Sequence, residues 1–262
     1  SWRQASRPLL SSRPTPHRLQ PWATPWPFPM PEPGRALPPL RACLLSGGAS
    51  RRMGQDKALL PHPEGGCWLT RSLTLLAGLE RPISLLSRHP EHLQLARRWC
   101  EARSGHWAAQ PPPTPNAPGG HNDAAIAPSE AAEEPWFEAL AEPPPWEGPL
   151  LALRRLMQRH PRQRLLLCPV DMPWLTLEAL RELVAASDAD PLAIQLADDG
   201  ERLQPLLGVY PSQARMRQHL AETIANGERR LQTWLAAQPC RRVRLNARAL
   251  RNVNRPQEWL PD

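Results

Sequence analysis

The sequence predicts an α/β fold, a three-layer α/β/α sandwich around a mostly parallel, Rossmann-like sheet. Three observations carry that prediction. Runs such as 41–46 and 164–170 are short and almost continuously apolar, as in strands buried on both faces. Longer runs with leucines at helical spacing alternate with them. Turn chemistry, Gly47-Gly48 and Asp198-Asp199-Gly200, marks two of the junctions.

The elements follow in order. Residues 41–46 form the first strand, ending at Gly47-Gly48, and 68–79 a helix with Leu69, Leu73 and Leu76 on one face. A strand at 82–87 and a helix at 91–102 come next. Residues 104–147 break the pattern with Pro111-Pro112-Pro113, Gly119-Gly120 and Pro143-Pro144-Pro145. This stretch holds one Asp and six Glu without a Lys or Arg, and reads as a mobile acidic insertion, with one strand near Trp136–Leu140. Order returns at Gly148. A helix over 149–159 presents Leu150, Leu153, Leu156 and Met157, and a strand over 164–170 carries Asp171 at its carboxyl end. Thr176 caps a helix over 176–187. Strands Leu192–Ala197 and Leu203–Tyr210 flank the Asp-Asp-Gly turn. Helices near 212–226 and 231–237, a strand at 241–246 and a short helix after Pro256 complete the chain.

The folded domain therefore spans 41–262. Residues 1–40 are a Pro/Arg-rich tail with no surviving period. The tail is either a linker or transit-like segment, or upstream sequence ahead of a start at Met30, the second being favoured. It lacks the apolar region of a secretory signal, and no run approaches the ~18 apolar residues of a membrane span. The five cysteines are odd in number, widely spaced and form no CxxC pair. They read as free thiols of a cytoplasmic protein, not as zinc ligands or a disulfide framework. The net charge is +7, yet residues 1–40 carry +4 and residues 104–147 carry −7, leaving +10 on the remainder. So basic a core suits a small polyanion; no nucleic-acid module signature accompanies it.

The chemistry concentrates at two strand ends. Gly47-Gly48 allows positive φ and close approach of backbone N–H groups to an anion, and Arg51, Arg52 and Lys57 add cations within the same loop. A triphosphate needs both amides and cations. The pattern is neither GxGxxG nor GxxxxGK[ST], so it is not a dinucleotide fingerprint or Walker loop. Asp171 is a lone carboxylate after an apolar strand. It reads either as a Mg²⁺ site, with one or two protein oxygens plus substrate phosphates, or as the acidic partner of the following helix N-terminus. In α/β sheets ligands bind beyond the carboxyl ends of strands, where both features lie. His62, His89, His160 and His219 lack metal-ligand spacing and read as ordinary histidines. Ser46 and Ser50 have no evident histidine base, so nucleophilic catalysis is unsupported. Arg229-Arg230 is either a solvated helix start or a contact for an anionic second substrate.

The run Leu44-Leu45-Ser46-Gly47-Gly48-Ala49-Ser50-Arg51-Arg52-Met53-Gly54-Gln55-Asp56-Lys57 resembles the LxGGxSxRMGxDK signature of the molybdenum cofactor guanylyltransferase (MobA) family, within the nucleotidyltransferase superfamily. The resemblance continues through Gly148-Pro149-Leu150, Cys168-Pro169-Val170-Asp171-Met172-Pro173, Asp199-Gly200-Glu201-Arg202, Gln204-Pro205, Gly227-Glu228-Arg229-Arg230 and Asn252-Val253-Asn254-Arg255-Pro256. It covers 41–262 apart from the insertion and implies a sheet of the nucleotide-diphospho-sugar transferase type. The resemblance also implies site roles. Leu45, Ser46, Gly47 and Gly48 bind the nucleotide, Lys57 and Arg52 act on its phosphates, and Asp171 holds Mg²⁺ with Asn254 nearby. Glu142 or Glu147 is the acidic nucleotide contact. Gln204, Arg229 and Asn252 face the pterin. The implied activity transfers GMP from GTP to molybdopterin, with the product passing to molybdoenzymes or cofactor-insertion proteins. A CTP or sugar-phosphate enzyme and a non-catalytic cofactor-delivery protein are the alternatives. One departure bears on the base. The family commonly reads GPLxG, and Ala152 here places a methyl at the last position.

Overall fold

The computed structural model describes residues 36–48, 56–103 and 135–253. Most of the predicted tail, most of the acidic stretch and the helix expected after Pro256 lie outside them. Along the chain come β1 (Leu40–Leu45), a 3-10 turn (Lys57–Leu59), α1 (Trp68–Ala77), β2 (Ile83–Ser87), α2 (Pro90–Glu101), β3 (Phe137–Ala141) and α3 (Pro149–Arg159). Then follow β4 (Arg164–Pro169), α4 (Leu177–Ala189), β5 (Ile194–Asp198), β6 (Leu203–Pro211), α5 (Ala214–Ala225), α6 (Leu231–Leu235) and β7 (Cys240–Arg244).

The strands form a seven-stranded sheet in the order β3-β2-β1-β4-β6-β5-β7. Pairings β1·β2, β1·β4, β2·β3 and β5·β7 are parallel, and β6 runs antiparallel to both β4 and β5. The sheet is therefore mostly parallel, as the sequence predicts. The exception lies at the Asp-Asp-Gly turn, where a hairpin folds β6 back beside β4. Asp198 Oδ1 accepts from Gly200 N at 2.8 Å, and Asp199 Oδ1 accepts from the N–H groups of Glu201 and Arg202.

Alternation along each strand separates two cores. Leu40, Ala42, Leu44, Leu166 and Val209 face one side, against α1, α2 and α4. Cys43, Leu165, Leu167 and Tyr210 face the other, against α3, α5 and α6. Both faces are covered, which explains the apolar continuity of the strands. Each fully buried leucine contributes about 1.5–3 kcal/mol. The side chain of Thr176 accepts from Ala179 N at 3.2 Å, the predicted cap of α4.

The edge strand β3 is held by polar contacts near the amino ends of the strands. Buried Arg41 donates from Nε to Gln163 Oε1 at 3.2 Å and from Nη1 to Ser84 Oγ at 3.4 Å. Ser84 Oγ donates to Glu138 Oε1 at 2.7 Å, His160 Nε2 lies 2.6 Å from the same oxygen, and Arg159 Nη2 is 3.1 Å from Oε2. Burial alone would raise the Glu138 carboxyl. Hydrogen bonds from His160, Ser84 and Arg159, with the charge of His160, outweigh it and bring the pKa down to about 2.

A carboxyl lowered in the folded state stabilises the protein above its unfolded value, and that contribution is lost as pH falls from about 4.5 toward 2. Glu138→Gln is expected to lower stability by roughly 2 kcal/mol at neutral pH, after allowance for solvent screening. Urea titration should show the difference from wild type shrinking at pH 3; a difference independent of pH would contradict the charge network.

Candidate functional site

The carboxyl ends of β1, β2 and β4 open into a cleft of about 270 Å³, close to the lower end of the ~300–1,000 Å³ usual for ligand sites. Leu45, Ser46, Gly47, Gly48, Lys57, Glu142 and Asp171 all line it. The remaining predicted site residue, Arg52, lies outside the described residues, as do Arg51 and Asn254. Parallel pairing of β1 with β4 sets Leu45 opposite Pro169, and Val170 N extends it by donating to Leu45 O at 3.2 Å. The segments after the two strands thus leave the sheet side by side.

Gly47 corrects one expectation. Neither Gly47 nor Gly48 takes a positive φ. What Gly47 offers is space: an added Cβ would sit 2.8 Å from Glu142 Oε2, and the Glu142 carboxylate would have to shift. Gly148 does need the left-handed region, at φ 100°, where it precedes Pro149 at the start of α3.

Lys57 and Asp171 face each other across the cleft, with Nζ 3.7 Å from Oδ2. Lys57 opens the 3-10 turn that Asp56 caps, Asp56 Oδ1 accepting from Ala58 N at 3.0 Å. Burial pushes the Asp171 carboxyl above its ordinary value, and the Lys57 ammonium pulls it part of the way back. Val253 N donates to Asp171 O at 3.1 Å. The loop behind Asp171 is held by buried His62, whose Nε2 donates to Pro173 O at 3.0 Å.

Of the two acidic candidates, Glu142 lines the cleft. Its Oε1 accepts from Arg155 Nη1 at 2.7 Å, and its backbone carbonyl accepts from Trp146 Nε1. Glu147 instead pairs with Arg229 Nε. Arg229 also donates from Nη1 to Ile224 O and Glu228 O, so protein acceptors engage it. Gln204 and Asn252 do come together, Asn252 Nδ2 donating to Gln204 Oε1 at 3.4 Å. Asn252 Oδ1 is buried without a partner among the described residues. Ala152, 7% exposed, is among the residues lining the cleft.

Among the lining residues that were not foreseen are three that carry polar or aromatic groups. Trp146 is 52% exposed, and the Arg88 guanidinium stands 5.4 Å from its ring centroid. The third, His92, overturns the expectation that no histidine reaches Ser46: its Nδ1 lies 2.8 Å from Ser46 Oγ and its Nε2 2.7 Å from Asp56 Oδ2. A separation of 46 residues hid the contact. The usable signal was position, because His92 follows β2, whose carboxyl end neighbours that of β1. His89, His160 and His219 play the ordinary roles expected of them: cap position of α2, partner of Glu138 and partner of Gln238.

Residues 42–243 match the family described as MobA-like NTP transferase domain. A protein of Rhodopirellula baltica named "Probable molybdenum cofactor guanylyltransferase" is 32% identical over 238 residues, covering 87% of this chain and 94% of the relative. One of the same name from Synechococcus elongatus is 29% identical over 226 residues, covering 83% and 95%. The structure titled molybdopterin-guanine dinucleotide biosynthesis protein A from Archaeoglobus fulgidus superposes with a TM-score of 0.54 at 14% identity, covering 83% and 94%, and shares the fold. The chain is a nucleotidyltransferase. It belongs to the MobA-like NTP transferase family.

Replacing Lys57 with Met removes the ammonium that counteracts burial of Asp171. The Asp171 carboxyl should then titrate at higher pH than in wild type, read by carbon NMR of labelled aspartate. An unmoved midpoint would contradict the pairing.

Proposed function

We propose that the protein transfers GMP from GTP to the terminal phosphate of molybdopterin, forming the guanine dinucleotide form of the molybdenum cofactor and releasing pyrophosphate. The observation that carries this reading is the Lys57–Asp171 pair at 3.7 Å across the cleft, in a chain whose relatives are named guanylyltransferases. An acceptor phosphate oxygen bonds to the α-phosphorus while the bond to the bridging oxygen of the leaving pyrophosphate breaks. The protein's part is positioning and charge balance, since such transfers need little covalent help. Backbone N–H groups of Gly47 and Gly48 hold phosphate oxygens, and Lys57, with Arg52 of the same signature, offsets their charge. Glu142, neutralised by Arg155, suits the donor groups of a base or ribose better than a phosphate. Gln204 and Asn252 supply polar contacts to the pterin.

The donor chemistry of Asp171 fits Mg²⁺. It is one hard carboxylate at a strand end, and no group of three or more potential metal ligands occurs among the described residues. Such a site suits an ion that takes one or two carboxylates and completes its shell with water and substrate phosphates. When bound there, Mg²⁺ supplies charge stabilisation to the phosphate oxygens. We place the protein in the cytoplasm, passing its product to molybdoenzymes or cofactor-insertion proteins. Among the described residues no helix is long and apolar enough to cross a membrane.

The test is incubation with molybdopterin, molybdate, Mg²⁺ and one nucleotide at a time, with chromatography of the product. GTP should support transfer and CTP should not; the reverse would reassign the enzyme, with the Ala152 methyl as the first place to look. Asp171→Ala should lower turnover by about a hundredfold or more while the circular dichroism spectrum stays unchanged. Near-normal turnover would remove Asp171 from the reaction.

A further inference from the structure

His92 is 1% exposed and makes contacts beyond those a packed histidine needs. Its Nε2 lies 2.7 Å from Asp56 Oδ2, and a carboxylate only accepts, so Nε2 carries the hydrogen. Its Nδ1 lies 2.8 Å from Ser46 Oγ, 3.0 Å from Ser46 O and 3.0 Å from Ser87 Oγ. Ser87 Oγ in turn donates to Ser46 O at 2.9 Å. One imidazole therefore joins the ends of β1 and β2 to Asp56, ten positions beyond Ser46 in the signature segment.

The same Asp56 has a second duty. Its other oxygen, Oδ1, caps the 3-10 turn whose first residue is Lys57. A continuous chain of contacts thus runs from His92 through Asp56 to the turn that aims Lys57 at Asp171. The serine, histidine and aspartate also have the makings of a nucleophilic triad. Burial decides against that use, because Ser46 is 2% exposed and both its hydroxyl and its carbonyl are already engaged.

We infer that His92 is a positioning residue for nucleotide binding: by tying Ser46 to Asp56 it sets where the Lys57 turn stands relative to the end of β1 and the direction of Lys57. The inference rests on the proposed nucleotide site and adds to it a residue on α2 that the signature does not contain. Side chains that orient a directly acting group commonly account for 10–100-fold in affinity or rate.

The experiment measures GTP binding by calorimetry and steady-state pyrophosphate release, with GTP and molybdopterin varied separately, on the full chain. His92→Ala should raise the KM and the Kd for GTP by about 10–100-fold, with the KM for molybdopterin unchanged. His92→Gln, which restores a donor toward Asp56, should recover part of the loss. Asp56→Asn should show the same selective effect, and the double variant should be little worse than either single one. Wild-type KM for GTP in folded His92→Ala, equal effects on both substrates, or additive losses would each overturn the inference. So would His92→Ala and Asp56→Asn both failing to fold, which would assign the contacts to stability alone. Wild-type protein that binds GTP without transferring GMP would reject the proposed reaction and leave the His92 effect readable in binding. Wild-type protein that binds no nucleotide would reject both.

Discussion

Parallel pairing of β1 with β4 is the constraint from which the site follows. With Leu45 level with Pro169, the residues after each strand emerge as neighbours at one end of the sheet. One strand continues into Gly47-Gly48, the other into Asp171. The pairing is maintained by leucines buried against helices on both faces, so the geometry of the cleft is underwritten by the whole core. Insertion of antiparallel β6 beside β4 closes the other flank and brings Leu206 to the cleft wall.

The two ends of the sheet treat half-buried carboxylates in opposite ways. Near the amino ends, Glu138 is surrounded by His160, Ser84 and Arg159 and its pKa falls to about 2. At the carboxyl end, Asp171 has one ammonium 3.7 Å away and its pKa rises, because burial outweighs that single partner. The first arrangement is electrostatically complete and serves to hold an edge strand. The second leaves a charge undercompensated beside a glycine pair, as sites that receive charged ligands do. Chemistry and stability are thus separated along the strands.

Much of this was legible in the sequence. Strand and helix periods located the strands and α-helices of the described residues to within a few residues, though not the 3-10 turn at Lys57–Leu59, and the strand-end rule brought Gly47, Lys57 and Asp171 together. Local signals also predicted the Thr176 cap and the turn at Asp199. What the sequence hid was pairwise. The choice between Glu142 and Glu147 depended on which carboxylate packs against Gly47, a contact between residues far apart in the chain. His92 was missed because its partners, Ser46, Asp56 and Ser87, come from three separate segments. Gly47 takes no positive φ, and what it offers the cleft is room beside Glu142, a difference that the residue type alone does not reveal.

Backbone amide hydrogen exchange, compared with and without GTP and Mg²⁺, tests most directly whether the carboxyl end of the sheet is the nucleotide site. Slowed exchange is expected at Gly47 and Gly48, in the Lys57–Leu59 turn and at Val170 and Asp171. The segments around Ser84, Glu138 and His160 should not change. Protection centred on those residues instead, or none anywhere at saturating GTP, would contradict the assignment of the cleft.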